Sequence, residues 1–360
     1  MNRRTVLILS GSIGQGHAAV AEACADAFDR AGQVPVVRDC MELLGPVRRA
    51  VASGLFRGLL GIPPLYDALH FSGLRAGAPV VVRSAGRATG HLVRALRPEL
   101  ADPSLVTVVA VFALGAGVVG WAAQRRPDLN AVVVVSDATA HRVWVQPGVR
   151  RYVVFSQLAA GSVRQYDPAA EVRIVDPPVR APFLHPPDRL AARRALGWPE
   201  ASTIVLVMGG GWARGPLLQV ADRLAARGLV PVVLAGSNRG LLRRVETGRP
   251  GTGRPLVLGQ RDDVHLLMAA SDVVVTSPGQ ACHEARAVGR PLVVMDTVPG
   301  HGRENLLGEL AQGGVLASGP HPEQVEAAVL AALQGACGAT NHEPRRPWGS
   351  QLVEAVGPGR

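Results

Sequence analysis

A short apolar run, a glycine-rich turn and an alanine-rich segment follow one another at the start of this chain, and the same order recurs near its middle. The first instance is Arg4–Ser10 (RTVLILS), then Gly11-Ser-Ile-Gly14-Gln-Gly16-His17, then Ala18–Arg30. The second is Thr203–Met208, then Gly209–Gly211, then Pro216–Arg227. A short run of β-branched residues without polar alternation reads as a parallel strand covered on both faces. A glycine turn between such a strand and a helix leaves backbone N–H groups open at the helix N-terminus, where an anion or a polar group can approach. Two openings of this kind predict two strand–helix layered halves.

Later apolar runs keep the theme. In the first half they are Val34–Arg38, Leu105–Val111, Ala131–Val135, Tyr152–Phe155 and Val172–Val175. In the second they are Val230–Ala235, Leu256–Leu258, Val273–Thr276 and Leu292–Met295, with helices expected over Val264–Ala270, Ala281–Val288, Asn305–Gln312 and Glu323–Leu333. Strands alternating with helices predict an α/β chain of two Rossmann-like, doubly wound parallel-sheet domains. The length of 360 residues suits two domains. The proline-dense segment Asp176–Asp188 (DPPVRAPFLHPPD) marks the division, because proline continues neither a helix nor a central strand. The expected domains are 1–178 and 179–334. A Gly/Pro-rich tail, 335–360, follows, whose Trp348 and Gln351–Val356 can pack back on the body.

Composition narrows the class. Apolar residues make up 48%, which excludes a disordered chain. The four cysteines are scattered without a C-x-x-C pair, against a disulfide scaffold or a Cys-based zinc site and in favour of a reducing, cytoplasmic compartment. The net charge is +10, every one of the 38 cationic residues is arginine, and aromatics are only 4%. Dispersed arginine with few stacking platforms favours phosphate-bearing small molecules or an anionic membrane face over nucleic acid. The apolar run Thr5–Leu9 is too short for a signal-peptide core. Ser104–Ala123 carries no charge and is long enough to span a bilayer. We read it instead as a buried strand (Leu105–Val111), a turn at Gly115–Gly117 and a short buried helix. Leu43–Arg75 interleaves apolar, aromatic and Arg residues, as an interfacial amphipathic segment or a helical cap over the core would.

Polar residues at expected strand ends are the candidate site. His17 opens the first helix, where it serves either as a general base or as a cap. The first turn departs from G-x-G-x-x-G, and a dinucleotide reading would need Asp39 or a neighbour as the ribose acid. Gly209, Gly210 and Gly211 form the second turn. Ser277-Pro-Gly279-Gln-Ala-Cys-His283-Glu284 begins a helix, so Glu284 is either a ribose-binding acid or a favourable first-turn acid. Pro299-Gly300-His301-Gly-Arg303-Glu304-Asn305 is a polar loop suited to sugar hydroxyls or to solvent. Ser136-Asp137-Ala-Thr-Ala-His141-Arg-Val-Trp144 leaves another strand. No D-x-D, H-E-x-x-H, G-x-S-x-G or phosphate-loop motif occurs, so no metal-clamped diphosphate is signalled.

These segments together resemble glycosyltransferase family 28, with its two-domain GT-B fold. The likeness is to monogalactosyldiacylglycerol synthase and, more distantly, to the GlcNAc transferase of the peptidoglycan precursor. It runs from Val6 to about Gly319. Its most specific parts are SIGQGHAAVAEA (Ser12–Ala23) and SDATAHRVWVQPGVRRYVV (Ser136–Val154). The resemblance implies an inverting, metal-independent transfer of a hexose or N-acetylhexosamine from a nucleotide-diphosphate sugar, UDP-linked, to a hydroxyl of a lipid such as diacylglycerol or of a secondary metabolite. It implies His17 as the base and Gly14, Gly16, Asp137, His141 and Trp144 on the acceptor side. Gly209, Gly210, Gly211, Gly279, Glu284, Pro299, Gly300, His301 and Asn305 fall on the donor side. No cofactor beyond the sugar nucleotide is implied, and the two domains are expected to close about 176–188. Peripheral contact of 43–75 with the inner face of the membrane goes with a lipid acceptor. Departures fall in the sugar-reading loop, where the family's Gln is His301 and its Glu is Gly302. The alternatives on the same fold are a nucleotide-sugar epimerase and a non-catalytic nucleotide-sugar-binding subunit.

Overall fold

The computed structural model describes residues 4–12, 16–244, 250–251, 253–338 and 346–357. They fall into two compact units. One is Met1–Pro178 with Pro299–Glu304 and Arg345–Arg360, and the other is Val179–Val298 with Asn305–Pro344. Each unit carries a six-stranded parallel sheet flanked by helices, so the chain is an α/β protein of two doubly wound, Rossmann-like folds.

The first sheet contains β1 (Thr5–Ser10), β2 (Val34–Asp39), β3 (Leu105–Ala110), β4 (Asn130–Val135), β5 (Arg151–Val154) and β6 (Glu171–Ile174), in the order β2-β1-β3-β4-β5-β6. Side chains alternate across the sheet. Leu7 and Leu9 join one core with Leu92, Val118, Val119 and Ala159. Val6 and Ile8 join the opposite core with Val20, Cys24 and Phe28 of the helix Gly16–Arg30. Burial on both faces explains why the central strands β1, β3 and β4 read as unbroken apolar runs. The tail contributes here: Leu352 and Val356 of the helix Trp348–Val356 complete that second core. Asn130 Nδ2 donates to Val356 O at 2.8 Å, and Gln351 Nε2 donates to Asp176 Oδ2 at 3.0 Å.

One local expectation changes. Gly115 and Gly117 are not a turn. They lie inside the helix Ala113–Arg125, which starts directly after β3. A Cβ on Gly115 would stand 2.9 Å from Leu9 Cβ, so glycine lets this helix press onto the sheet. Asp39, the acid a dinucleotide reading would need, spends its Oδ1 on capping the helix Cys40–Leu43, accepting from Met41 N and Glu42 N at 2.7 and 3.2 Å. Segment 43–75 is helical, as Pro46–Leu60, Pro63–Ala68 and a π-helical turn Leu69–Arg75. Among the described residues no helix is long and apolar enough to cross a membrane.

The second sheet contains β7 (Ile204–Val207), β8 (Val230–Leu234), β9 (Leu256–Leu258), β10 (Val273–Thr276), β11 (Leu292–Met295) and β12 (Val315–Ser318), in the order β12-β11-β10-β7-β8-β9. Ile204 and Leu206 face one core and Val205 and Val207 the other, which repeats the logic of β1.

In both sheets the strand order reverses beside the first strand. The reversal lies between β1 and β3 in one and between β7 and β10 in the other. Connections leave such a point in opposite directions, which opens a crevice at the strands' carboxyl ends where ligands bind.

Candidate active site

His17 stands at the first of these reversal points. It lies in the opening turn of the helix after β1, half-buried. Its Nδ1 is 3.0 Å from Val111 O, just past β3, and 3.0 Å from Ser136 Oγ, just past β4. A carbonyl oxygen only accepts, so Nδ1 must carry the proton, shared between Val111 O and Ser136 Oγ. In the neutral imidazole that leaves the lone pair on Nε2. Phe112 meets the ring edge-on at 5.1 Å and Trp144 lies tilted against it at 6.2 Å. The ring is thus oriented by two hydrogen bonds and two aromatic walls.

The rest of the acceptor-side set gathers nearby. Trp144 is fully buried and packs between His17 and His141, with ring centroids 6.3 Å apart in the second contact. His141 Nδ1 accepts from Val143 N–H at 3.3 Å, which leaves its proton on Nε2. Burial drives the His141 pKa down to about 4, and the charge of Asp137 only partly opposes this. His141 is therefore neutral at physiological pH. Asp137 is half-buried and acts on His141, His301 and Tyr66 through its field. Gly16 begins the helix of His17. Gly14 lies outside the described residues.

Pro299–Glu304, read from sequence with the donor half, belongs to the first unit. Gly300 N–H donates to Asp67 Oδ1 at 2.7 Å, and the hydroxyl of Tyr66 is 2.9 Å from His301 Nδ1. Glu304 is buried and fully engaged. Its Oε2 accepts from His70 Nε2 at 2.7 Å and from Thr139 Oγ1 at 2.6 Å, and its Oε1 is 3.1 Å from Arg75 Nε. Burial pushes the Glu304 carboxyl up, but the His70 and Thr139 bonds and the Arg75 charge outweigh it and hold the pKa below the usual carboxylate value.

The second reversal point carries the remaining candidates. The turn Gly209–Gly211 follows β7. Gly210 is close to Ser277, which follows β10: a Cβ on Gly210 would be 3.3 Å from Ser277 Oγ. Gly279 caps the helix Gln280–Val288. Glu284 sits on that helix, only 4% exposed, and its Oε1 accepts from Arg180 Nε at 2.7 Å. Burial raises the Glu284 pKa and the Arg180 guanidinium partly offsets the rise. One oxygen of the expected ribose acid is therefore already engaged. Asn305 is half-buried in the helix His301–Gln312.

The turn at Gly209 tolerates no side chain. A Cβ there would be 2.3 Å from Arg214 O and 2.4 Å from Arg214 N, both backbone atoms. Gly209→Ala is expected to lower stability by about 1–3 kcal/mol, read from the urea midpoint.

Sequence reading passed over Arg180, Asp67 and His70 as site residues, and it gave no role to Ser136, Thr139 and Glu304, which it quoted only as members of their motifs, or to Tyr66, which lay in the segment read as a cap or interface. Arg180 had a signal, an arginine inside the proline-dense segment read only as a divider. The partners of Glu304 had none, since 165 positions separate it from Thr139, His70 and Arg75 lie still further off in sequence, and only the fold joins them.

No family model matches the chain. In sequence it is 31% identical over 250 residues to the UDP-N-acetylglucosamine--N-acetylmuramyl-(pentapeptide) pyrophosphoryl-undecaprenol N-acetylglucosamine transferase of Clavibacter michiganensis subsp. michiganensis. That match covers 66% of this chain and 62% of the relative, so less than two thirds of the relative's length is spanned. The chain is 23% identical over 342 residues to the processive diacylglycerol beta-glucosyltransferase of Bacillus licheniformis, covering 90% of this chain and 85% of that one. The crystal structure of Acinetobacter baumannii MurG superposes with a TM-score of 0.54 at 14% identity, over 98% of this chain and 94% of that chain. The fold is that of the GT-B glycosyltransferases. Within that class, the sequence relatives are glycosyltransferases and match an assignment to family 28.

Proposed function

We propose that this chain transfers a hexose or N-acetylhexosamine from a UDP-sugar to a lipid hydroxyl of diacylglycerol type, by single displacement with inversion and without a required metal. The observation that carries the reading is the tautomer of His17. The Val111 carbonyl takes the Nδ1 proton, and Nε2 is left as a base at the reversal point of the first sheet.

In the reaction, His17 Nε2 removes the acceptor's O–H proton as the oxygen attacks the anomeric carbon. The bond from that carbon to the β-phosphate oxygen breaks, and UDP leaves with the electron pair. Attack from the face opposite UDP inverts the configuration. Backbone N–H groups of the Gly209–Gly211 turn and of the helix behind Gly279 supply fixed dipoles for the leaving diphosphate. Arg180, whose side chain is 47% exposed, adds positive charge. Glu284 accepts from a ribose hydroxyl through its second oxygen. The relatives' lipid and lipid-linked substrates support the acceptor class.

An exposed helix face supports a peripheral membrane location. Val47, Val51 and Leu55 recur every fourth residue along Pro46–Leu60 and are 74%, 64% and 63% exposed. Ile62, Leu65 and Phe71 in the following segments are 55%, 50% and 42% exposed, and Arg48 adjoins the stripe in sequence. An apolar stripe flanked by arginine fits an anionic lipid surface, where each cation adds about 1 kcal/mol. Val51→Glu with Leu55→Glu is expected to abolish most co-sedimentation with anionic vesicles and to leave UDP binding unchanged. Equal sedimentation of variant and parent would remove this face from the interface.

The reading is tested by incubating the chain with UDP-glucose, UDP-galactose and UDP-N-acetylglucosamine, each with and without diacylglycerol in anionic vesicles. Acceptor-dependent UDP release and a glycolipid of inverted anomeric configuration, unaffected by EDTA, are expected. An epimerised sugar nucleotide without acceptor, or no turnover with any pair, would overturn the reading.

A further inference from the structure

We propose that Tyr66 fixes His301 as an obligate N–H donor that reads a substrate oxygen, which makes Tyr66 a positioning residue for recognition. The identity of the substrate rests on the glycosyl-transfer reading; the state of the imidazole does not.

Tyr66 is 4% exposed, and its hydroxyl lies 2.9 Å from His301 Nδ1. Two arrangements satisfy that distance. If Nδ1–H donated, the phenolic proton would have no acceptor among the described residues, inside a site nearly sealed from water. If the phenol donates, both its proton and the Nδ1 lone pair are used. Burial, with the charges of Asp137 and Asp67, raises the Tyr66 pKa, so the proton stays on the phenol. Burial likewise holds His301 below the ordinary imidazole range, so the ring is neutral. A neutral ring that accepts at Nδ1 carries its proton on Nε2.

The surroundings hold this pair in register. Phe56 lies stacked against the His301 ring at 6.2 Å, and Tyr66 meets it edge-on at 5.8 Å. Gly300 has φ +61°, and a Cβ there would fall 2.5 Å from Tyr66 Cε1 and 3.0 Å from His70 Cβ. The phenol therefore packs directly on the backbone that presents His301. The bonds of Gly300 and Arg303 to Asp67, at 2.7 and 2.6 Å, anchor the same turn. Nε2 has no partner among the described residues, and the ring is half-buried.

An amide at this position could either donate or accept. His301 in this state can only donate, so it recognises an oxygen lone pair and not a proton. That oxygen is a hydroxyl, ether or carbonyl oxygen, either of the donor's sugar or of the acceptor alcohol.

The test combines nitrogen NMR of the 15N-histidine-labelled chain with kinetics of Tyr66→Phe, His301→Gln and His301→Leu. In the parent, His301 is expected to show a protonated Nε2 and an unprotonated Nδ1. Tyr66→Phe keeps the ring but releases Nδ1, so the two tautomers should mix. The KM for one substrate should rise about five- to tenfold in His301→Leu and about twofold in Tyr66→Phe, with kcat little changed. His301→Gln, which still offers an N–H, should stay near the parent. A rise in KM for the UDP-sugar assigns the oxygen to the donor, and a rise for the alcohol assigns it to the acceptor. A proton on His301 Nδ1 in the parent, or no movement of either KM in both variants, would overturn the proposal. Should the chain transfer no sugar at all, the glycosyl-transfer reading fails while the nitrogen shifts still decide the Tyr66 assignment.

Discussion

His17→Ala is expected to lower kcat by about 10²–10⁴, with the affinity for UDP unchanged. The size follows from what the ring alone supplies. A lipid alcohol is a poor nucleophile until its proton is removed, and the imidazole is held with its basic nitrogen free by the Val111 carbonyl. The ring belongs to the first unit, whereas Gly209–Gly211 and Glu284 belong to the second, so nucleotide binding should not respond to its loss. Ser136→Ala is the matched control. It removes one of two partners of Nδ1 and leaves the carbonyl, so turnover should fall far less than in His17→Ala. UDP release with saturating donor and acceptor measures turnover, and calorimetric titration with UDP measures binding. Full turnover in His17→Ala would exclude the ring as the base.

How much of this was readable in the sequence depended on how local the cause was. The central strands were readable because they are covered on both faces, which leaves unbroken runs such as VLIL and VVVV. β12 was not read, since Val315–Ser318 is a short edge strand behind Gly313 and Gly314 with only two of its residues buried. The glycines at 115 and 117 were misplaced for a physical reason. In sequence a glycine pair signals a turn, but here glycine serves close helix-to-sheet contact, which only a tertiary neighbour such as Leu9 reveals. His17 was legible as a residue, being set at a helix start after a glycine turn. Its tautomer was not, because the deciding carbonyl is 94 positions away. Pro299–Glu304 shows the same limit more sharply. The motif named the residues, and the partners that fix their chemistry are in a segment read as a helical cap or an interfacial stretch.

That segment makes Glu304 the residue whose loss should cost the most stability. Its carboxylate is the common acceptor for His70, Thr139 and Arg75, and His70 is 1% exposed with its Nδ1 already lacking a partner. Glu304→Ala would leave a buried imidazole N–H, a buried hydroxyl and a guanidinium without their acceptor. Removing one member of a buried, hydrogen-bonded charge cluster costs about 3–5 kcal/mol. Glu304→Gln keeps the shape and one acceptor oxygen, so it should cost less and separates charge from volume. The sign of the pH dependence is fixed by the direction of the shift. The folded carboxyl titrates below its ordinary value, so its contribution is complete above the unfolded glutamate value of about 4.3 and is lost as pH falls through the lower, folded value. Urea midpoints taken from pH 7 downward should therefore show a constant gap between the parent and Glu304→Gln that closes only below about pH 4. A gap that stays constant to the acid limit would mean the carboxylate charge contributes nothing, and that His70, Thr139 and Arg75 are served equally well by any acceptor of that shape.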